Sequence, residues 1–131
     1  MILAVFFGSV TWTDLAPISA AMDALIGTAD VDGRRAGLRA SSNETELERA
    51  ADGALGVVHS GARVGVPWLA DEEARRRGFI PTVVPADETV AWLLDRWVAD
   101  PALLPVGRCF GVDRGLVDAL WAVGIETEWI P

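Results

Sequence analysis

The sequence has no lysine, glutamine or tyrosine, and it has only one cysteine and one histidine. Without lysine, the chain can neither form a Schiff base nor supply the lysine of a P-loop. The single Cys109 excludes an internal disulfide and a metal cluster held by cysteines. Because no group of residues has the spacing of metal ligands, we expect no metal ion and no cofactor.

Basic residues are outnumbered by acidic residues, and the formal net charge is therefore −8 at pH 7. This charge argues against nucleic acid as a partner, because a phosphate backbone requires a basic surface. The 131 residues are 51% hydrophobic, which excludes disorder and predicts a single domain over residues 1–131. The apolar start lacks the basic region of a signal peptide, and no apolar run is long enough to cross a membrane. We therefore expect a cytoplasmic protein.

Apolar runs alternate with helical patterns along the chain, and this predicts an α/β fold with a mainly parallel sheet of about four to five strands. The first strand is expected at residues 2–7, and later strands at 54–59, 79–84 and 125–129. Helices are expected from residue 14 to a stop at Gly27, and over 66–78, 88–99 and 115–123. The polar residues 28–53 predict an irregular insertion with a short helix from Ser41 to about Ala51. A loop bracketed by Pro101 and Pro105 and a Gly-rich turn over 107–111 complete the prediction.

Two Gly-containing loops follow the first two strands, and each opens a helix. The backbone N–H groups at such a helix start are unpaired, and the helix dipole adds partial positive charge there. The carboxyl ends of neighbouring parallel strands lie at one edge of the sheet, where ligands of open α/β sheets bind. The two loops together therefore predict an anion pocket that suits a nucleotide.

Particular side chains in these loops are candidates for ligand contacts. Gly8 allows close backbone approach, Ser9 and Thr11 supply hydroxyls, and Trp12 is either a stacking surface or part of the core. In the second loop Arg63, between Gly61 and Gly65, is a candidate phosphate clamp. His59 either contacts the ligand or is a structural histidine with satisfied hydrogen bonds, which is the commoner case.

Other polar residues allow further interpretations. Asp14 together with Asp71, Glu72 or Glu73 would form a general acid–base pair. The favoured alternative is that Asp14 caps its helix and that the carboxylates of residues 71–73 pair with arginines three and four residues later. The arginines of residues 75–77 are expected on a solvated face. Arg108 or Arg114 would be a third phosphate contact if the 107–111 turn reaches the same edge. The tryptophans Trp92, Trp97 and Trp121 are expected in the core or in an interface.

Two segments resemble the YspA-like branch of the SLOG superfamily. They are Gly8-Ser9-Val10-Thr11-Trp12-Thr13-Asp14 and Val58-His59-Ser60-Gly61-Ala62-Arg63-Val64-Gly65, and Pro85-Ala86-Asp87 is similar to a third motif of that family. The resemblance implies a Rossmann-like three-layer fold that binds nucleotides or nucleotide-derived ligands. It implies ligand contacts from Gly8, Ser9, Trp12, Asp14, His59, Gly61, Ala62, Arg63 and Gly65. It also suggests that Asp113 and Arg114 stand where the family has an Asn-Arg pair.

The sequence departs from that family pattern at places that bear on function. Val10 stands where the family has an arginine, and the P-G-G-x-G-T loop of enzymatic relatives is absent from the sequence, as is the catalytic glutamate that goes with it. We therefore expect a binding protein or sensor for a nucleotide-derived ligand. The alternatives are a hydrolase of an N-glycosidic or phosphate bond and a protein-interaction module. An exposed edge strand would favour a homodimer or larger homo-oligomer.

Overall fold

The computed structural model describes residues 1–40 and 55–131. In these residues, helices and strands alternate as the hydrophobic pattern predicts. The strands are β1 (Ile2–Gly8), β2 (Leu55–His59), β3 (Thr82–Val83), β4 (Leu104–Phe110) and β5 (Glu126–Ile130). The helices are α1 (Leu15–Ala40), α2 (Gly65–Arg76), α3 (Thr89–Ala99) and α4 (Arg114–Ala122), with a 3₁₀ turn at Ala86–Glu88 before α3.

The five strands form one parallel sheet in the order β3-β2-β1-β4-β5. The chain moves outward from β1 to β3 and then returns past β1 to form β4 and β5. This arrangement is a Rossmann-like α/β fold and confirms the predicted fold class. The continuously apolar sequence of β1 is explained by its central position, because both faces of the strand are buried.

The core has two halves, one on each face of the sheet. On one face, Ile18 and Met22 of α1 and Ala70 of α2 pack on alternate residues of β1, such as Phe6. On the other face, residues of α3 and α4 pack on the intervening residues of β1 and on β4: Leu3, Val5, Phe7, Leu93, Cys109, Val117 and Leu120. The structure is therefore three-layered, with α1 and α2 opposite α3 and α4.

Two elements, α1 and β3, differ in length from the prediction, and each difference has a local cause. Helix α1 continues past Gly27 to Ala40, so residues 28–40 are not an irregular segment. A helical glycine is less favourable than alanine by about 1 kcal/mol, which does not end a helix. The predicted short helix at 41–51 lies outside the described residues. Strand β3 is shorter than predicted, because the Phe79 N–H still donates to Ala74 in the turn after α2 and Pro81 has no N–H to donate.

Strand β4 was missed by the sequence prediction, which had a loop up to Pro105 and a turn at residues 107–111. It lies beside β1 over its whole length, from the pair Ile2 and Leu104 to the pair Gly8 and Phe110. Position 107 within this strand requires glycine, because a side chain would collide with β5: an added Cβ would lie 2.8 Å from Oγ1 of Thr127. Gly107 thus marks close packing in this strand, not a turn.

An ionic cluster joins α1 to α2. Glu73 is buried, and its carboxylate accepts hydrogen bonds from Arg76 and from Nε of Arg77, the latter at 2.7 Å. The Arg77 guanidinium also donates to Asp23 (2.5 Å) and to Oγ of Ser19 (2.7 Å), both on α1. The predicted pairing of arginines three and four residues after a carboxylate is confirmed. The predicted solvated position is wrong for Arg77, whose side chain is only 16% exposed.

The hydrogen bond from Arg76, reinforced by that from Arg77, outweighs burial and lowers the pKa of Glu73 from 4.5 to about 2. A carboxyl group with a lower pKa in the folded state stabilises the fold above pH 4.5 and loses this contribution as the pH falls toward 2. We predict that Glu73→Gln lowers the free energy of unfolding at pH 7 by on the order of 3 kcal/mol. Urea unfolding from pH 7 to pH 2 should show the difference from wild type shrinking over that acidic interval. Glu72→Gln, at the exposed neighbouring residue, is the control; equal effects of the two substitutions would contradict the prediction.

Candidate functional site

The candidate site lies at the carboxyl ends of β1 and β4, the neighbouring strands from which the chain leaves in opposite directions. Residues 9–14 lead from β1 to α1 on one face, whereas residues 111–113 lead from β4 to α4 on the other. Loops that diverge in this way leave a crevice between them, and ligands of open α/β sheets bind in such crevices. The loop of residues 60–64 after β2 and the 3₁₀ turn after β3 lie at the same edge.

The backbone of Ser9 joins three of these loops. Its N–H donates to the carbonyl of Phe110 at 2.9 Å, and its carbonyl accepts from the N–H groups of Trp12 (3.4 Å) and Val66 (3.2 Å). The loops after β1 and β2 therefore lie side by side, as the parallel sheet predicts. Gly111, in the loop after β4, packs on the Ser9 side chain, where an added Cβ would lie 2.8 Å from that of Ser9.

Glycine is required where these loops meet. Gly65 has a φ of 68°, and an added Cβ would lie 2.4 Å from the Ser9 carbonyl oxygen. Gly8 has a φ of 139°, and an added Cβ would lie 2.0 Å from the carbonyl oxygen of Phe110. The two glycines that the sequence suggested for contact with a ligand are thus needed first for contact between backbones.

A cavity of about 170 Å³ opens between the loops. Its wall is mostly apolar and includes residues from β1, both Gly loops, the turn after β3 and the start of α4: Val5, Phe6, Phe7, Gly8, Val10, Ser60, Ala62, Pro67, Ala86, Thr89, Asp113 and Leu116. An apolar cavity of roughly 150 Å³ is large enough to hold benzene. The crevice therefore has room for one ring of that size, and a larger ligand would extend out of it.

A shallower groove of about 460 Å³ lies on the other side of the Ser9 contact. Ser9, Thr11, Trp12 and Asp14 line it, together with the loop after β4 and the end of β5. The hydroxyls of Ser9 and Thr11 are 2.8 Å apart, so they form one small polar surface. Trp12 packs on Phe110 with ring centroids 6.0 Å apart, and its indole N–H donates to the Asp14 carbonyl at 2.6 Å. Trp12 thus belongs to the edge of the core and also lines the groove.

The helix starts at this edge are less available to an anion than the sequence suggested. Oδ1 of Asp14 accepts from the N–H of Ala16 at the start of α1, and Oδ1 of Asp113 accepts from Leu116 at the start of α4. At the start of α2, the N–H of Val66 is bonded to Ser9, and Pro67 has no N–H. The carboxylates of Asp14 and Asp113 therefore partly neutralise the helix dipoles at the starts of α1 and α4. Positive charge for a phosphate must then come from arginine side chains.

The three candidate arginines have different environments. Arg63 is exposed in the loop after β2, next to Ala62 of the cavity wall. Arg114 begins α4 beside Asp113, but its guanidinium lies over the ring of Trp129, 6.0 Å from the centroid. Arg108 lies within β4, where its Nη1 is 2.8 Å from Glu126, and is therefore not at the loop edge. Arg63 is the candidate cation that is exposed beside the cavity.

His59 is buried at the end of β2, and both ring nitrogens have protein partners. Nδ1 accepts from the N–H of Gly61 at 2.9 Å, and Nε2 lies 2.6 Å from Oδ2 of Asp71. This geometry favours the structural alternative for His59 over direct contact with a ligand. Gly61 has its N–H in that bond and a φ of 84°, so it shapes the loop instead of offering its N–H to a ligand.

Of the four groups suggested for acid–base chemistry, Asp14, Asp71 and Glu73 have partners within the protein, and Glu72 is exposed and does not line the cavity. Burial favours the neutral form of Asp71, but hydrogen bonds from Arg75 and His59 outweigh it, and the pKa of Asp71 is lowered. Asp71 and Glu73 are therefore held as carboxylates, whereas a general acid needs a raised pKa. Burial raises the pKa of the Cys109 thiol to about 11, so this group is not an activated nucleophile.

Sequence reasoning named Asp113 only through the family resemblance and missed Thr89 of α3 and Leu116 of α4. Thr89, Asp113 and Leu116 line the cavity. The available signal was the short run Val106 to Phe110, followed by Gly111 and an Asp at a helix start, which resembles the pattern of residues 2–14. Pro105 and Gly107 of β4 concealed that signal.

Comparison of the chain with protein-family models, with curated proteins and with solved structures found no match. Within residues 1–40 and 55–131, no helix has the length and apolar character needed to cross a membrane. The same residues contain no group of three or more metal-ligating side chains. The expected cytoplasmic location stays a prediction.

The contact between Gly65 and Ser9 can be tested by substitution. We predict that Gly65→Ala destabilises the protein by more than about 2 kcal/mol, because it combines an unfavourable φ with a collision against the backbone. Gly78→Ala is the control, since Gly78 has a φ of 87° but open space around it, and should cost only about 1–2 kcal/mol. Chemical unfolding measures both values. A Gly65→Ala variant no less stable than Gly78→Ala would show that the loops do not meet as described.

Proposed function

We propose that the protein binds a nucleoside or nucleotide-derived small molecule in the crevice between β1 and β4. The observation that carries the proposal is the 170 Å³ cavity at the point where the strand order reverses, enclosed by loops that Ser9 joins. The resemblance of residues 8–14 and 58–65 to the SLOG superfamily supports the same ligand class. The size and apolar wall of the cavity fit a flat ring, such as a base, better than a phosphate.

The polar groups suggest how the rest of such a ligand would lie. Asp113 and Ser60 are at the cavity wall, and carboxylate and hydroxyl oxygens accept hydrogen bonds from the amino groups of a base or the hydroxyls of a sugar. A phosphate would be repelled by Asp113 and would lie outside the cavity, where Arg63 can reach it. The ligand would thus have its ring inside and its charge at the rim.

A binding role is favoured over hydrolysis of an N-glycosidic or phosphate bond. The carboxylates that would supply acid–base chemistry are engaged, Asp14 at a helix start and Asp71 and Glu73 with arginines. Asp113, the carboxylate at the cavity wall, is engaged as well, because it accepts a hydrogen bond from the Leu116 N–H at the start of α4. The ligand therefore serves as a signal or a cargo in this proposal.

A thermal-shift panel of nucleosides, nucleotides and inorganic phosphate tests this function. A ligand at about a hundred times its dissociation constant stabilises the folded state by roughly 2.7 kcal/mol. We predict stabilisation by at least one nucleoside or nucleotide, none by phosphate alone, and loss of it in Ala62→Leu, which fills the cavity. Arg63→Gln should weaken binding of the nucleotide about tenfold and leave the matching nucleoside unaffected.

Arg96→Gln provides the matched control for charge, because Arg96 lies near the end of α3, stacked over Trp92 at 4.9 Å. No stabilisation by any nucleoside or nucleotide would contradict the proposed function. Turnover of a nucleotide that is lost in Asp14→Asn would favour the hydrolase instead.

A second candidate is association of two copies of the chain, and the outer face of α4 and β5 favours it. Trp121 and Trp129 are 60% and 44% exposed there and line a cleft of about 290 Å³ with Arg114 and Asp118. An arginine and an aspartate on one surface allow reciprocal pairing with the same surface of a second copy across a two-fold axis. The edge strand itself is partly closed, because the Trp121 indole N–H donates to the Thr127 carbonyl at 3.1 Å.

Analytical ultracentrifugation tests this association. We predict that wild type sediments as a dimer at micromolar concentration and that Trp121→Ser raises the dissociation constant at least tenfold, because exposed tryptophans dominate the energy of such contacts. Trp68→Ser, at a tryptophan of α2 that is 43% exposed, should leave the constant unchanged. A monomeric wild-type protein would contradict this second function without affecting the first.

A further inference from the structure

His59 forms a chain of hydrogen bonds from the crevice loop to the surface of α2. The N–H of Gly61 donates to Nδ1 at 2.9 Å, so this nitrogen must carry a lone pair. The proton of the neutral ring is therefore on Nε2, which donates to Oδ2 of Asp71 at 2.6 Å. Oδ1 of Asp71 in turn accepts from Nε of Arg75 at 2.7 Å. The geometry thus requires one protonation state and one tautomer of the imidazole.

Protonation of the ring would break one of these bonds and keep the other. An imidazolium has an N–H on both nitrogens, so Nδ1 would then point a proton at the N–H of Gly61. The bond from Nε2 to Asp71 would strengthen, because both partners would be charged. The ring would thus stay attached to α2 while the loop loses its attachment to the ring.

The loop attached in this way forms part of the cavity wall. Ser60 and Ala62, on either side of Gly61, both line the cavity. Gly61 has a φ of 84°, and an added Cβ would lie 2.7 Å from the Val83 side chain, so the loop is held close to β3. Movement of Gly61 away from His59 would therefore change the cavity and the position of Arg63.

We propose that His59 is a positioning residue whose neutral ring holds the loop of residues 60–64 through Gly61, and that protonation of the ring releases this loop. The effect on a bound molecule rests on the proposed ligand-binding function, but release of the loop does not. Ligand binding at the crevice would then weaken as the pH falls, although His59 itself contacts no ligand.

The charged groups around His59 lie mainly on α2. Among the described residues, α2 presents Asp71 and Arg75 to it, whereas the strands on either side, β1 and β3, have no titratable side chain. On α1, the described carboxylate Asp23 is paired with Arg77. Hydrogen bonds from Arg75 and His59 outweigh burial and lower the pKa of Asp71, so this group is held as a carboxylate.

Nuclear magnetic resonance can test the proposal without a ligand, since His59 is the only histidine of the chain. Nitrogen shifts of the ring should show the Nε2–H tautomer at high pH, and the Gly61 amide should show a coupling to Nδ1 across the hydrogen bond. As the pH is lowered, the Gly61 amide should shift with the same midpoint as the ring. Its hydrogen exchange, corrected for the intrinsic effect of pH, should become about tenfold faster, which corresponds to the loss of one ordinary hydrogen bond.

Two substitutions separate the two bonds of the ring. His59→Asn provides an oxygen near the position of Nδ1 and should keep the Gly61 amide protected at every pH. His59→Gln provides an N–H near the position of Nε2, which keeps the contact with Asp71 but not that with Gly61, and should give fast exchange at every pH. A role in packing alone would not produce this opposite behaviour.

The outcomes are distinct from those of the ligand panel. An Nδ1–H tautomer, or a Gly61 amide that does not follow the ring, would overturn the inference even if nucleotides bind. If the amide follows the ring and a nucleoside from the panel binds, its affinity should fall with the same midpoint, and His59→Asn should remove that pH dependence. If the amide follows the ring and no nucleoside or nucleotide binds, the loop release stands and the proposed function fails.

Discussion

The position of the Ser9 backbone is the constraint on which the rest of this edge depends. The N–H of Ser9 donates to the end of β4 and its carbonyl accepts from the start of α2, so strands and helices on both sides of β1 are fixed relative to this residue. Gly65 and Gly111 allow the two loops to approach that unit closely. Because the cavity wall consists of the same loops, its shape follows from backbone contacts more than from any single side chain.

This constraint also explains the chemistry of the site. Backbone groups that a phosphate would use in other folds of this kind are here bonded to other loops or to Asp14 and Asp113. The charge that remains is on flexible side chains at the rim, whereas the interior is apolar with carboxylate and hydroxyl oxygens at its wall. For the ligand class proposed above, such an arrangement would select for the ring first and for the charge second.

The sequence predicted those parts of the fold in which local pattern and tertiary role agree. The apolar runs of β1 and β2 and the helical periodicity of α2, α3 and α4 were recognised because burial alone determines them. Strand β4 was not recognised, since Pro105 and Gly107 have the composition of a turn, and only the structure shows that Thr127 and Leu120 leave no room for a side chain at Gly107. The adjacency of the two Gly loops followed from the parallel sheet, whereas the use of their polar groups within the protein could not be predicted from spacing.

His59 shows why the candidate site and its supporting structure are hard to separate in a sequence. A histidine at the end of a strand, followed by Ser-Gly, has the same pattern whether its nitrogens face a ligand or the backbone two residues later. The deciding feature is Asp71, which lies twelve residues after His59 and accepts a hydrogen bond from the far side of the ring. Arg75, one helical turn later, donates to the other oxygen of Asp71. A ring held on one side by a carboxylate and on the other by a backbone N–H is sensitive to its own protonation. The same contacts that remove His59 from the ligand surface therefore give it control over the loop that forms that surface.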